Sequence, residues 1–430
     1  MTRMKESGID WIGQIPEEWE VTRIKNFVSI ERGASPRPID KFISDDDTGV
    51  NWIRIGDTYK GNKYITSTRL KITNRGKQFS RYIHPGTLIL SNSMSFGEPY
   101  ISSIYGCIHD GWLSLTPYKN ISKEYLYWLL LSDVCTSQFN LVSIGAVVEN
   151  LSVDKVGNTL VSMPYSLSEQ QKIADFLDKK TAQLDKAKAL LEEQIQKLKD
   201  YRASLIYETV TKGLDKTVPM KDSGIDWIGQ VPQGWGVKAI KYIFDEIGSG
   251  STPKSDNEIF YDGDIKWIQS GDLYQTDTVT SVSKTISYQG FNSTSALKIY
   301  QPPFVALAMY GASVGNVAVS YIDACVNQAV VVMLGASEKV RFGKYAIEAS
   351  KNNLIFSAQG GTQPNISQNL IKNWSIPQPK SEEQDQIVDF LDNETSRIDE
   401  LIKIKFKQIE NINKQRQALI YDYVTGKRRV

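Results

Sequence analysis

Only three of the 430 residues are cysteine and two are histidine. Cys107, Cys135 and Cys325 are too few and too scattered for a disulfide framework, and with His84 and His109 they offer no zinc-ligand spacing. The reading is a reduced, cytoplasmic protein without a bound metal. Net charge is nearly absent, with 50 basic against 49 acidic residues, which neither argues for nor excludes a polyanionic partner. No run reaches the roughly 18 apolar residues of a membrane span, and the opening residues are polar, so neither a span nor a signal peptide is expected. The phosphate loops G-x-x-x-x-G-K-[ST] and G-x-G-x-x-G are missing, as is the G-x-S-x-G elbow. ATP hydrolysis, dinucleotide binding and serine-hydrolase chemistry lose their usual machinery, and no cofactor is expected.

What the chain has instead is a repeat. Lys5–Trp19 (KESGIDWIGQIPEEW) and Lys221–Trp235 (KDSGIDWIGQVPQGW) share 11 of 15 positions at an offset of 216. Further pairs follow in order: Asn51–Asp57 with Lys266–Asp272, Ala174–Asp178 with Val388–Asp392, and Leu205–Tyr207 with Leu419–Tyr421. A unit this long means two similar domains, since solenoid repeats run to about 20–50 residues. Hydrophobic content of 41% lets each half bury its own core. Cys107 and Cys325 fall at equivalent places, as buried residues of a shared core would. The four tryptophans Trp11, Trp19, Trp227 and Trp235 read as core or anchoring residues, and Asp57 and Asp272 as structural turn residues. Gln301-Pro302-Pro303-Phe304 imitates the [N/D]-P-P-[Y/F] motif of adenine methyltransferases. It lacks the Asn or Asp, no glycine-rich cofactor loop precedes it, and it falls opposite His84-Pro85-Gly86-Thr87 at the start of a strand.

Two kinds of segment alternate. Residues 1–167 and 213–380 are rich in Gly, Ser, Thr, Asn, aromatics and short β-prone runs, as in mixed α/β domains. Residues 168–212 and 381–430 are loop-free and charged, with apolar residues three or four apart (Ile173, Leu177, Leu184, Leu191, Ile195, Leu198; then Ile387, Leu391, Ile398, Ile402, Ile409). That spacing predicts two long helices that pair along a narrow seam. Ser168 is the expected N-cap of the first, with Gly213 and Gly426 as stops. A helix lying alone on its own domain is disfavoured, because some 43 residues at about 1.5 Å each would overhang it. The expected architecture is mixed α+β: two pseudo-symmetric α/β domains separated by two long helices in an antiparallel coiled coil. Eight basic residues, Arg54, Lys60, Lys63, Arg69, Lys71, Arg75, Lys77 and Arg81, crowd one stretch with the single acid Asp57, whereas the matching stretch of the second half is acidic. Such a run is either a solvated face or a phosphate-contact surface.

In order and in duplicate, these motifs resemble the specificity subunits of type I restriction–modification systems. The resemblance rests on Trp11–Trp19 and Trp227–Trp235, on Gly33-Ala34-Ser35-Pro36 and Gly250-Ser251-Thr252-Pro253, and on Trp52–Asp57 and Trp267–Asp272. It also rests on Ser95-Phe96-Gly97 and Ser313-Val314-Gly315, and on the helix starts Ser168–Asp178 and Glu382–Asp392. A Gly361-Thr362-Gln363-Pro364-Asn365-Ile366-Ser367 segment closes the second domain, and its counterpart Gly145–Ser152 is degraded. The resemblance implies a DNA-binding protein without catalytic activity. Its two target recognition domains each read one half of a bipartite duplex DNA site. The helices would set the gap and dock two methyltransferase (modification) subunits, with two restriction (motor/nuclease) subunits completing the complex.

Base readout needs Asn, Gln, Arg, Ser or Thr presented from loops. The expected contacts in the first domain are Ser35, Arg37, Arg54, Asn92, Ser93, Ser95, His109 and Asn150. Those in the second are Thr252, Lys254, Tyr310, Ser313, Asn327, Gln328, Thr362, Gln363 and Asn365. Arg37 and Lys254 are phosphate candidates, and Gln363 and Asn365 are candidates for reading bases or positioning the backbone. His109-Asp110 aligns with Asn327-Gln328, polar ends of apolar strands that suit either buried hydrogen bonding or the groove. The competing reading is a duplicated protein-interaction scaffold that touches no DNA; steep salt dependence of DNA binding separates the two.

Overall fold

The computed structural model describes residues 3–9, 11–93, 96–143, 150–274, 276–358 and 365–430. The chain forms two compact units, Met1–Leu191 with Phe406–Val430, and Glu192–Lys405.

The first unit is organised by a five-stranded sheet in the order Val28–Arg32, Trp112–Pro117, Leu88–Ser91, Pro99–Ser102, Tyr64–Ile65. Neighbours are antiparallel except the last pair. Leu88–Ser91 is central and buried throughout, which explains its unbroken apolar run: both faces of the strand are covered. Leu88 and Leu90 share a core with Leu126 and Trp128 of the helix Lys123–Leu131. Ile89 faces the other way, onto Ile53 and Ile108 of a second sheet. That sheet runs Ile43–Ser44, Leu70–Ile72, Val50–Ile53, Gly106–Ile108, Arg81–Ile83.

The second unit repeats the plan. Its main sheet is ordered Glu246–Ser249, Val330–Leu334, Phe304–Ala308, Val317–Ser320, Thr278–Val279. Val305 and Leu307 join the helix-side core with Val340 and Ala346, while Phe304, Ala306 and Ala308 join Ile268 and Val326 of a three-stranded sheet. Phe304, last residue of the methyltransferase look-alike, is therefore a core residue.

The long helices span Leu167–Lys212 and Ser381–Val424. The first starts one residue earlier than expected. Ser166, not Ser168, takes the capping place, its hydroxyl accepting from the Glu169 N–H at 3.3 Å, because Leu167 already belongs to the first turn. Gly213 and Gly426 end the helices at φ +70° and +74°, the left-handed geometry of a helix stop. Within the first unit, Phe176 meets Tyr423 (ring centroids 4.4 Å apart) and Asp185 meets Arg416 at 3.6 Å, so the helices run antiparallel. Within the second, the Lys405 ammonium donates to Gln194 at 2.6 Å and Arg202 pairs with Asp399 at 3.3 Å, again in opposite senses. Each core draws on both helices: Ile173, Leu177, Ile420 and Val424 in the first unit, Ile206, Val210, Ile387 and Leu391 in the second.

Trp19, Trp227 and Trp235 are buried, but Trp11 is 46% exposed. The cause lies in its missing neighbour. Trp227 stacks on Trp374 (6.3 Å, 14°), and the equivalent place in the first unit holds Thr159: the carbonyls of Trp374 and Thr159 accept from Ile240 and Ile24, which correspond. Cys107, Cys135 and Cys325 are free and buried. Among the described residues no helix is long and apolar enough to cross a membrane.

Candidate nucleic-acid interface

In each domain one segment lies against one strand end. Gly33 sits so close to the His109 carbonyl that a Cβ would come within 2.1 Å of its oxygen, and one on Gly250 would come within 1.7 Å of the Val326 oxygen. Only glycine permits this approach. It delivers the next hydroxyl to a fixed target. Ser35 Oγ donates to Asp110 Oδ1 at 2.6 Å, and Thr252 Oγ1 donates to Gln328 Oε1. The [ST] of the glycine–proline element thus fastens the second residue after the strand end, Asp110 in one domain and Gln328 in the other.

In the first domain Asp110 is the hub. Its carboxylate pairs with Arg37 at 3.0 Å, and its carbonyl accepts from Arg32 at 3.1 Å and from the Asn92 amide at 3.0 Å. The Ser35 hydroxyl holds its carboxyl below the ordinary range against partial burial, with help from Arg37 and His109. His109 offers both ring nitrogens to backbone N–H groups, Gly111 at 2.7 Å from Nδ1 and Ile55 at 3.2 Å from Nε2; a neutral ring accepts only one of these. Burial pushes its pKa down, with Arg54 acting the same way against Asp110 and Asp57. Asp57 accepts from the backbone N–H groups of Arg54 and Arg69, and Asp272 likewise from Gln269 and Ser283, the turn role expected of both.

Ser35, Arg37, Arg54 and His109 line one cleft of about 770 Å³. Asn92 reaches the same place only through Asp110. At 1% exposure, with its carbonyl accepting from Leu151, it positions the loop. Ser93 and Asn150 are half-buried, and the Asn150 carbonyl accepts from Lys155. In the second domain Ser313 is buried, Tyr310 packs on the helix-side core, and Asn327 caps its own turn by accepting from Ala329 at 3.0 Å. Lys254, Gln328 and Asn365 are exposed. Ser95, Thr362 and Gln363 lie outside the described residues.

The basic run is largely engaged by other side chains of its own unit. Lys60 pairs with Glu98, Lys63 with Asp178, Lys71 with Asp47 and Arg81 with Glu31, and the Lys77 ammonium sits 3.6 Å over the Tyr82 ring. Asp110 is the residue that the list of expected contacts leaves out. Its alignment with Gln328 was the available signal, but a carboxylate is a poor candidate for meeting phosphate. Among the described residues no cluster is fit to hold a metal ion.

Two copies of one α/β domain, each seated on the start of one long helix and the end of the other, with polar loops at matching edges, define a duplicated recognition module. The model of the type I restriction modification DNA specificity domain matches residues 16–199 and 232–411, and the chain belongs to that family, the non-catalytic specificity subunits. The type I restriction enzyme MjaVIII specificity subunit of Methanocaldococcus jannaschii is 24% identical over 426 residues, covering 97% of this chain and 94% of that protein. The MjaIX specificity subunit of the same organism is 30% identical over 192 residues, 44% of this chain and 43% of its own. Among solved structures, the HsdS subunit from Thermoanaerobacter tengcongensis superposes with a TM-score of 0.52 at 16% identity, covering 96% of this chain and 98% of that one. A chain from a study of complex assembly and conformational transition of the type I R-M system reaches 0.76 at 16% identity, covering 96% and 99%.

Proposed function

We propose that each domain reads one half of a bipartite duplex DNA sequence. The paired helices hold the two half-sites at a set gap and dock two methyltransferase subunits, and two restriction subunits complete the assembly in the cytoplasm. The observation that carries this reading is the shared loop anchor with unlike outward chemistry. The same hydroxyl-to-strand-end bond presents Arg37 and Asp110 in one domain, Lys254 and Gln328 in the other. A common frame with exchanged polar side chains is what two different half-sites require, since Gln and Asp address different base edges. Phosphate affinity then comes from the exposed Arg37 and Lys254 and from partner subunits, which suits a chain with a net charge of only +1.

The test is to express the chain with its methyltransferase and map methylated adenines in the host genome. A bipartite motif with a fixed gap, lost on deletion of the chain, is expected. Exchanging residues 1–167 for those of a relative should alter one half-site only. A stable complex without any new motif, whose DNA binding ignores salt, would favour the protein scaffold instead.

A further inference from the structure

The two domains differ at one place that their shared frame makes easy to compare. In the first domain Ile43 and Val50 both pair with Ile72; in the second Tyr261 and Ile265 both pair with Ile286. Tyr261 therefore stands where Ile43 stands. Its ring lies 6.0 Å from that of Trp267 and its hydroxyl donates to the Pro253 carbonyl at 2.7 Å, bridging the strand to the Thr-Pro segment. Ile43 has no such reach, and nine residues rather than six separate it from its tryptophan, Trp52. Tyr261 thus stands between Trp267 and Pro253, whose counterparts Trp52 and Pro36 line a cleft of about 770 Å³ in the first domain.

Its lining joins the apolar Trp52, Leu70, Pro36 and Ile43 to the charged Arg37, Arg54 and Asp40, with Arg37 also paired to Asp110 at 3.0 Å. Arg54, its side chain 37% exposed, is steadied by an ion pair with Asp57 at 3.8 Å. Arg37, its side chain 79% exposed, stands at the mouth. The volume falls within the roughly 300–1,000 Å³ of small-molecule sites, and the mix of apolar walls with a few polar groups is typical of them. A flat ring with polar edges and an attached phosphate fits this combination.

We propose that the first-domain cleft holds a single unstacked nucleobase, with Arg37 at its phosphate. Two sources share that chemistry: a base rotated out of the bound duplex, or a free mononucleotide. The first source rests on the reading that this domain binds DNA; the second does not. The second domain, plugged by Tyr261, holds none.

The experiment uses the chain assembled with its methyltransferase. In one arm, duplexes bearing the mapped site carry a single mismatch at each position of the first domain's half-site in turn. A base taken into the cleft leaves a mismatched pair more cheaply, so one position should bind at least about tenfold tighter (1.4 kcal/mol per tenfold) while the others bind more weakly. In the other arm, the four deoxynucleoside monophosphates are titrated calorimetrically without DNA. Ile43→Tyr, which rebuilds the second domain's plug, should abolish whichever signal appears. Tyr261→Ile should open a second site and double the nucleotide stoichiometry, and it decides the matter should Ile43→Tyr fail to fold. A mismatch gain assigns the base to DNA, and nucleotide binding alone assigns it to the free ligand. Duplex binding with neither signal overturns the cleft while leaving half-site reading intact. Absent duplex binding sinks half-site reading, and the nucleotide arm then decides the cleft alone. Signals indifferent to both substitutions overturn it as well.

Discussion

Replacing Arg202 by Met should unseat the second domain from its helices. Arg202 projects from Leu167–Lys212 with its side chain only 15% exposed. It contacts Glu348 and Asp277 at 2.5 Å each and Asp399 at 3.3 Å. Lys344, 3% exposed, bonds Asp277 and Glu348 at 2.7 Å from the other side. The substitution leaves one cation facing three carboxylates. A unit charge at about 4 Å is worth roughly 4 kcal/mol at an effective dielectric near 20, and breaking a buried pair costs about 3–5 kcal/mol. Because Lys344 keeps two of the acids and Asp399 is half-exposed, the lower end applies, about 3 kcal/mol. At roughly 2–4 °C per kcal/mol for a unit of this size, the transition of the second unit should fall by about 6–12 °C. Calorimetry at pH 7, with hydrogen exchange of Ser337–Ala349 to assign the transition, measures it; a fall below about 2 °C would refute the reasoning. The pH dependence gives a second check. Burial pushes Asp277 up, but Lys344 and Arg202 outweigh it and hold the carboxyl below its ordinary value. Its contribution is therefore full above the unfolded value near 4 and is lost as pH falls through the lower folded value. The gap between wild type and Arg202→Met should narrow in that window. Asp399, raised by burial, works the other way, losing stability as pH rises through its folded value.

Gly250→Ala places a Cβ against the Val326 oxygen, which must push Thr252 off Gln328. Overpacking of this kind costs about 1–3 kcal/mol, and methylation at the second domain's half-site should fall more than at the first. Gly271→Ala, with nothing within 4 Å of the added carbon, should stay within about 0.5 kcal/mol in denaturant unfolding; equal losses from both would discredit the contact argument. Removing four residues between Leu184 and Leu198, about 6 Å of helix, should change the gap between half-sites by roughly two base pairs at about 3.4 Å each and leave the half-sites unchanged. Altered half-site sequences in the methylome would contradict it.

The duplication, the helices and their stops were legible because they leave marks at fixed spacing. Gly33 and Gly250 recur with a hydroxyl two residues on, and Ile173 to Leu198 keep one face. Less legible was how a side chain would be used once neighbours arrived. Asn92 looks like a base reader in a polar loop, yet its amide is committed to the Asp110 carbonyl at 3.0 Å. The basic run from Arg54 to Arg81 looks like a phosphate stripe, yet Lys63 is tied to Asp178, 115 residues away. Trp11 matches Trp227 in sequence and differs in burial, because the residue that decides it is Thr159 in one half and Trp374 in the other. Each such outcome depends on a distant partner, and local pattern carries no record of that.

Lys63 and Asp277 show how far the two halves diverge without losing their seat. Both precede the short edge strand of the main sheet, where their carbonyls accept from Ile101 and Val319. Lys63 takes Asp178 of the first helix, which also accepts from Trp128 at 2.9 Å. Asp277, of opposite sign, turns to Arg202, and the equivalent acid Asp392 accepts from Tyr345 at 2.6 Å and pairs with Arg341 at 2.7 Å. The helices, by contrast, repeat their charges. Asp178 matches Asp392, Asp185 matches Asp399, and Arg202 matches Arg416, which in the first unit pairs with Asp185 and lies 5.8 Å from the Trp128 ring. Each seat therefore offers one fixed acid, Asp178 or Asp392, and one fixed arginine already paired with the second acid. A domain carrying lysine at the edge strand selects the acid, and a domain carrying aspartate selects the arginine. A seat that serves either sign can receive domains of unlike surface without any change in the helices, and domains of unlike surface are what half-sites of unlike sequence demand.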